Sequence, residues 1–324
     1  MWLAGVVVRM AAIGPTPLGQ RDFGRRRARQ HPNLIVSDIH YLCWKRLSRY
    51  AIKLRERTKR PYRSYWRRRM PVVEREPMTT IGGLPVTALG RQASARLLVD
   101  TALRARGQRQ RPFYSTSANG QVIALARSDA EFRDLLLEAD QIHPDGMPMV
   151  LLSSLVSQVP LRERIATTDL IHDVAVLAEV AGVSFYFLGG TPEVNRAAVS
   201  QMTKEYPNLT IIGARSGYFD QEQEAGIVEE ISCLRPDILW VGLGVPLEQR
   251  FVSRNIDRLH GVGVIKTSGG LFDFLSGRNS RAPRWMQAAG LEWVYRTILE
   301  PRRLLGRYLR TNAIAMWQIV LHSK

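Results

Sequence analysis

The 324-residue sequence predicts an α/β protein, a parallel sheet flanked by helices, with a basic helical segment appended at its C-terminal end. Three observations predict it. Between residues 79 and 267, apolar runs of about five residues alternate with stretches of about 10–15 residues at helical spacing, the pattern of βαβ units. Charge is segregated: residues 1–76 carry 19 Lys+Arg against 5 Asp+Glu, residues 278–324 carry 9 against 2, and 77–277 carry 18 against 22. The strand–helix alternation stops at 278, and the remaining residues are basic and aromatic with no further strand signal.

The elements run in chain order. Residues 81–86 predict a short strand or hairpin piece and 89–106 a helix. A strand over 112–117 leads to Asn119-Gly120, which opens a helix to about Arg127. Helices are expected over 130–139, 149–156 and 170–181. The run at 184–188 ends in Gly189-Gly190, a strand and then a turn. A helix over 192–206, a strand over 209–214 and a loop at Gly217-Tyr218-Phe219 come next. The core closes with a helix over 221–234, a strand over 237–242, a helix over 248–258 and a strand over 263–267. The expectation is a Rossmann-like sheet over 77–277.

Outside this core the sequence is less regular. Residues 1–76 hold the charge runs at 24–27 and 67–69 and prolines at 15, 17, 32, 61 and 71. They predict a disordered extension, and Met70 and Met78 would serve as later starts. A membrane-surface arm, with a basic amphipathic helix over about 41–57, ranks behind these. Cys43 and Cys233 give neither a disulfide framework nor metal-ligand spacing and are expected to be free thiols. No stretch reaches the roughly 18 apolar residues of a membrane span. The start is apolar but short, broken by Arg9 and without a basic leader. A cytoplasmic location is expected.

In open α/β sheets, ligands bind beyond the carboxyl ends of the strands, so the loops there hold the candidate residues. Ser117 and Asn119 sit where a strand passes into a helix, and such a loop can cap the helix or hold a phosphate or sugar. Asp145, between Pro144 and Gly146, is either a turn residue or a general base among apolar neighbours. Gly189 and Gly190 follow one strand, and Gly242, Gly244, Pro246, Glu248 and Gln249 follow another. Glycine at such points permits close backbone approach. Neither loop completes the GxGxxG fingerprint, which argues against a nicotinamide enzyme. His143 and His172 have no metal-ligand spacing, though His172 could pair with Asp169; no metal and no cofactor are expected.

In the basic end, Arg281, Arg284, Arg296, Arg303, Arg307 and Arg310 are interleaved with Trp285, Trp293, Tyr295, Tyr308 and Trp317, and Pro301 predicts a helix restart. Arginine suits bidentate phosphate contact and Trp or Tyr the bilayer interface. Single-stranded nucleic acid is the competing explanation of such a surface, but the charge is confined to the ends and no RRM, KH or helix-turn-helix signature occurs.

Together the motifs resemble the WecG/TagA/CpsF family of bacterial glycosyltransferases over about residues 79–310. The resemblance rests on Pro-Asp-Gly-Met-Pro at 144–148, Thr-Thr-Asp-Leu at 167–170, Phe-Leu-Gly-Gly at 187–190 and Gly-Tyr-Phe at 217–219. It continues through Val-Gly-Leu-Gly-Val-Pro at 241–246, Gly-Gly-Leu-Phe-Asp-Phe-Leu-Ser-Gly at 269–277, Arg-Ala-Pro-Arg-Trp at 281–285 and Gly-Leu-Glu-Trp-Val-Tyr-Arg at 290–296. It implies an inverting, metal-independent transfer from a UDP-sugar (glucose or N-acetylmannosamine type) to an undecaprenyl-diphosphate-linked sugar, in exopolysaccharide or cell-envelope glycan assembly. It implies Asp145 as general base, with Ser117 and Asn119 beside it. Gly189, Gly190, Tyr218, Gly242, Gly244, Pro246, Glu248 and Gln249 would face the donor. Arg281, Arg284, Arg296, Arg303 and Arg307 would face the acceptor diphosphate and an anionic membrane. Two departures stand out: Ser117-Ala118-Asn119 where the family has Thr-x-Asn, and Pro246-Leu247-Glu248-Gln249 where it has Pro-x-Gln-Glu. The implied place is the inner face of the plasma membrane, held peripherally. An apolar docking surface could equally bury itself in a homo-oligomer. Removing 278–324 is expected to leave a more soluble, inactive core.

Overall fold

A computed structural model of the chain describes residues 77–323; the expectations for 1–76, Cys43 among them, lie outside the described residues. The described part opens with a hairpin, β1 (Met78–Ile81) paired antiparallel with β2 (Leu84–Thr87). Gly82 and Gly83 form its turn at φ of 58° and 81°, left-handed backbone that glycine adopts without strain. Then come α1 (Arg91–Ala105), β3 (Phe113–Ala118), α2 (Gly120–Ser128), α3 (Ala130–Leu137), β4 (Gln141–Pro144) and α4 (Met147–Val156). The second half of the core holds α5 (Thr167–Ala181), β5 (Ser184–Gly189), α6 (Pro192–Glu205), β6 (Thr210–Arg215), α7 (Gln221–Leu234), β7 (Ile238–Gly242), α8 (Leu247–Asn255), β8 (Val264–Thr267) and α9 (Leu271–Leu275). The chain ends in α10 (Arg284–Ala288), α11 (Glu292–Leu299) and α12 (Pro301–Leu321).

The six core strands form one parallel sheet in the order β4-β3-β8-β7-β5-β6. Alternate residues of β5 and β7 point to opposite layers. Phe185, Phe187 and Trp240 meet α1, α5, α6 and α9 on one face. Tyr186, Leu188, Leu239 and Val241 meet α7 and α8 on the other. This is why both strands read as near-continuous apolar runs. Local signals set the helix starts: Asn119, Asp129 and Thr191 cap α2, α3 and α6, and Asp220 with Gln223 forms a capping box on α7.

The structure adds two elements to the sequence expectation. β4 has little apolar signal, because its Gln141 and His143 are buried against polar partners rather than against hydrocarbon. The five-residue α9 is too short to show a period. α12 begins at Pro301, where the restart was expected. It does not stand apart from the core, however. Its Ala315 and Ile319 are buried with Ile81, Val122, Ile123 and Phe132, and Leu304 is likewise buried. Gly83 N–H donates to the His322 carbonyl at 2.8 Å and Gly82 N–H to Ser323 Oγ at 3.0 Å. The C-terminal end is thus tied to the hairpin at residues 78–87, so its removal would uncover buried apolar side chains. No described helix is long and apolar enough to cross a membrane.

Candidate active site

The carboxyl edge of the sheet gathers polar side chains that the strands themselves position. Asp145 follows β4 and is fixed by its N–H, which donates to the Ala118 carbonyl at the end of β3 at 2.7 Å. The Ile165 N–H in turn donates to the Pro144 carbonyl at 2.7 Å, which brings Arg164 alongside. Arg164 Nε lies 3.4 Å from Asp145 Oδ1, and its Nη2 lies 2.6 Å from Glu292 Oε2 at the start of α11. Both carboxylates and the guanidinium line a cavity of about 430 Å³ between the sheet edge and the C-terminal helices. Asn119, Arg296, Tyr308 and Asn312 complete its polar wall, and Trp293, Met316 and Ile319 give it an apolar one.

Burial pushes the Asp145 carboxyl up to about 6; Arg164 opposes this, and Glu292 adds to it. The side chain nevertheless keeps 27% of its surface open, on the cavity. A carboxyl titrating close to neutrality and facing open space is matched to general base work.

The other expected residues fall into three groups. Asn119 joins Asp145 on the cavity wall, whereas Ser117 does not line it: Ser117 Oγ accepts from Lys266 Nζ at 2.9 Å and lies 3.3 Å from Thr167 Oγ1. Asn119 Oδ1 caps α2 by accepting from Val122 N–H at 3.1 Å, while the residue also lines the cavity.

The loops after β5 and β7 sit at the same edge but do not line that cavity. A Cβ at Gly189 would come 2.5 Å from the Gly242 carbonyl and from the Phe272 ring, and one at Gly242 would come 2.7 Å from the same ring. These two glycines make room for Phe272. Gly190, at φ 67°, is crowded by Val194, whereas Gly244, at φ 79°, has open space around it. Pro246 follows a cis peptide and precedes α8, and Tyr218 is largely exposed. Glu248 and Gln249 are both buried: Glu248 Oε2 accepts from Gly269 N–H at 2.8 Å, and Gln249 Nε2 lies 3.4 Å from Glu248 Oε1.

Of the basic end, Arg296 lines the cavity, its guanidinium 5.6 Å from the Phe274 ring centre. Arg284 is exposed. Arg281 turns inward, 2.6 Å from Asp169 Oδ1 and 3.4 Å from Glu292 Oε1. The side chains of Arg303 and Arg307 lie outside the described residues. His172 pairs with Tyr206 Oη at 2.8 Å and Glu205 at 3.3 Å, not with Asp169. Cys233 is a free, exposed thiol.

Sequence reasoning passed over Arg164, Glu292 and Lys266. The first two meet across 128 positions, which no local pattern reveals. Lys266 did carry a signal: a lysine inside the apolar run Val264-Ile265-Lys266-Thr267.

Known proteins share this chain's sequence pattern. The model of a family described as Glycosyl transferase WecG/TagA/CpsF matches residues 79–324. The chain is also similar to a protein of Bacillus subtilis (strain 168) named N-acetylglucosaminyldiphosphoundecaprenol N-acetyl-beta-D-mannosaminyltransferase. The two are 32% identical over 188 residues, which cover 58% of this chain and 72% of that protein.

Proposed function

Because the chain belongs to the WecG/TagA/CpsF family of glycosyltransferases, we propose that it transfers a hexosyl group from a UDP-sugar to a sugar carried on undecaprenyl diphosphate, with inversion at the anomeric carbon. The relative's name supports a diphosphoundecaprenol-linked acceptor. The observation that carries the mechanism is Asp145, held on the wall of the cavity with its carboxyl raised to about 6. Asp145 takes the proton of the acceptor hydroxyl. The hydroxyl oxygen then forms its bond to the anomeric carbon as the bond to the UDP oxygen breaks, and UDP leaves with the electron pair. Arg164 and Arg296 supply positive charge at the cavity, where an acceptor diphosphate would sit. Residues 77–277 carry the chemistry. Residues 278–324 close the acceptor side and hold the enzyme peripherally on the inner, anionic membrane face.

Transfer of label from a panel of UDP-sugars to undecaprenyl-diphosphate-sugar in vesicles tests the reading. Wild type should transfer from one donor. Asp145→Asn should lose at least about 100-fold in rate while binding that donor as before. A fully active Asn variant would remove Asp145 from the mechanism. No transfer from any donor by folded enzyme, together with salt-sensitive RNA binding, would move the basic surface to nucleic acid.

A further inference from the structure

β8 lies between β3 and β7 and is buried along its whole length, yet its third residue is Lys266, with no surface exposed. A leucine or methionine would fill such a position without the cost of removing an ammonium from water. The lysine is held in one orientation: Nζ donates to Ser117 Oγ at 2.9 Å and to the Thr267 carbonyl at 2.7 Å. Both acceptors lie at the carboxyl edge of the sheet. Through Ser117 the ammonium reaches the strand that leads into Asn119 and, by the Ala118 carbonyl, fixes Asp145.

The charged and titratable groups around it are few. Glu248 from α8 and Asp145 from the β4 end attract its charge, and His143 on β4 is kept neutral by burial and by Lys266 itself. Burial pushes Lys266 down and Glu248 up, and the attraction between the two opposes both shifts. Asp145 is faced by Arg164 and Lys266 on the positive side and by Glu292 and Asp169 on the negative side. Of the two cations, Arg164 is shared with Glu292, while Lys266 hydrogen-bonds only neutral oxygens among the described residues.

We propose that Lys266 is a positioning residue for transfer: its ammonium fixes the Ser117 hydroxyl near the end of β3 and supplies buried positive charge that keeps Asp145 a carboxylate at neutral pH. The proposal rests on Asp145 being the general base and adds a second, buried group that sets the pH range of that base. Lys266 touches neither substrate in this role; it acts through Ser117 and through its field.

The experiment compares wild type, Lys266→Met and Lys266→Met/Glu248→Gln by two readouts. One is the pH profile of kcat/KM. The other is the carbon-13 titration of the Asp145 carboxyl, assigned by its loss in Asp145→Asn. In Lys266→Met both should move to higher pH together. The rate should fall about fivefold at pH 6, where a one-unit displacement takes the ionised fraction from about one half to about one tenth, and recover most of the loss by pH 8.5. A uniform loss across pH, or an unmoved Asp145 titration, would overturn the proposal. If Asp145→Asn proves active, the rate profile no longer reports Asp145, but the carboxyl titration still decides the part played by Lys266. Should the single variant fail to fold because Glu248 is left uncompensated, the double variant is read in the same way. Failure of both to fold would make Lys266 a structural residue and reject the proposal.

Discussion

The Asp145 carboxyl is more costly to ionise in the folded chain than in the unfolded one, and this links activity to stability. Its value is raised from 3.8 to about 6, first by burial. Between those values the unfolded chain has released the proton and the folded chain still holds it. Stability therefore falls as pH rises through that window, and the deficit is complete above about pH 6. Transfer by the proposed base runs the other way, since that base would work only when ionised. The rate is thus expected to climb through about pH 6 and level off above it, as a pH profile of kcat/KM will show. Asp145→Asn removes the charge at the same volume, so thermal melts at pH 7.5 should give a Tm at or above that of wild type, with activity lost. A lower Tm would mean that the pairing with Arg164 outweighs burial. Gly189 makes a second residue-level case. Two glycines after a strand suggest room for a ligand; at Gly189 the side-chain position is occupied by the Phe272 ring. Gly189→Ala should therefore cost about 1–3 kcal/mol in denaturant unfolding by overpacking. An alanine variant as stable as wild type would return the glycine to a ligand-facing role.

Among the elements, α12 is the one whose part differs most from its appearance in sequence. Its arginines and aromatics suggest a surface helix, and along much of its length it is one, with Leu309 and Trp317 exposed. The stripe formed by Leu304, Ala315 and Ile319 is nevertheless buried. Leu304→Ala is expected to destabilise by about 2–5 kcal/mol, measured by urea unfolding. Truncation after Gly277 should give a protein that binds a hydrophobic dye and melts without cooperativity, because α2 and the hairpin lose their cover. A cooperative melt from that fragment would restore the separable appendage. The same contrast explains what the sequence could reveal. β5 and β7 are legible because both faces are buried in hydrocarbon, and Asp145 and Asn119, which line the cavity, stand out because ligand loops follow strand ends. β4 was hidden because burial there is polar, with Ser115 Oγ 3.3 Å from Gln141 Oε1. Arg164 and Glu292 were invisible as a pair because they meet across 128 positions, and Arg281 reaches Asp169 across 112. Lys266 was the exception, a charge in an apolar strand that could have been read and was not.

Among the described residues, the C-terminal helices bring basic, aromatic and exposed apolar side chains to the cavity. α11 and α12 supply part of the cavity wall, and Ile298, Leu309 and Trp317 on them, with Trp285 on α10, are all more than 60% exposed. On the other side of Asp145, α4 starts two residues further on and presents Leu151 and Leu155 to solvent. Residues 278–324 hold 9 Lys+Arg against 2 Asp+Glu beside a core that is mildly acidic. The proposed lipid-linked acceptor would deliver its sugar from the plane of a bilayer, and aromatics, leucines and arginines around the cavity suit that surface. Charge and hydrocarbon make separate contributions to such docking, and they respond differently to conditions. Charge attraction to anionic lipid weakens as the Debye length shrinks, whereas insertion of apolar side chains does not. Flotation with vesicles rich in anionic lipid should therefore capture the enzyme strongly at low salt and partly at 1 M salt, where the Debye length is about 3 Å. Trp285→Ser/Trp317→Ser should abolish the salt-resistant part and leave the salt-sensitive part. Neither tryptophan is buried, so the fold should survive the change. Equal capture by neutral and anionic vesicles would reject the role of charge. If the enzyme instead stays off all vesicles and sediments as a dimer that the double serine variant breaks, a second copy covers this face and the lipid must reach the cavity by another route.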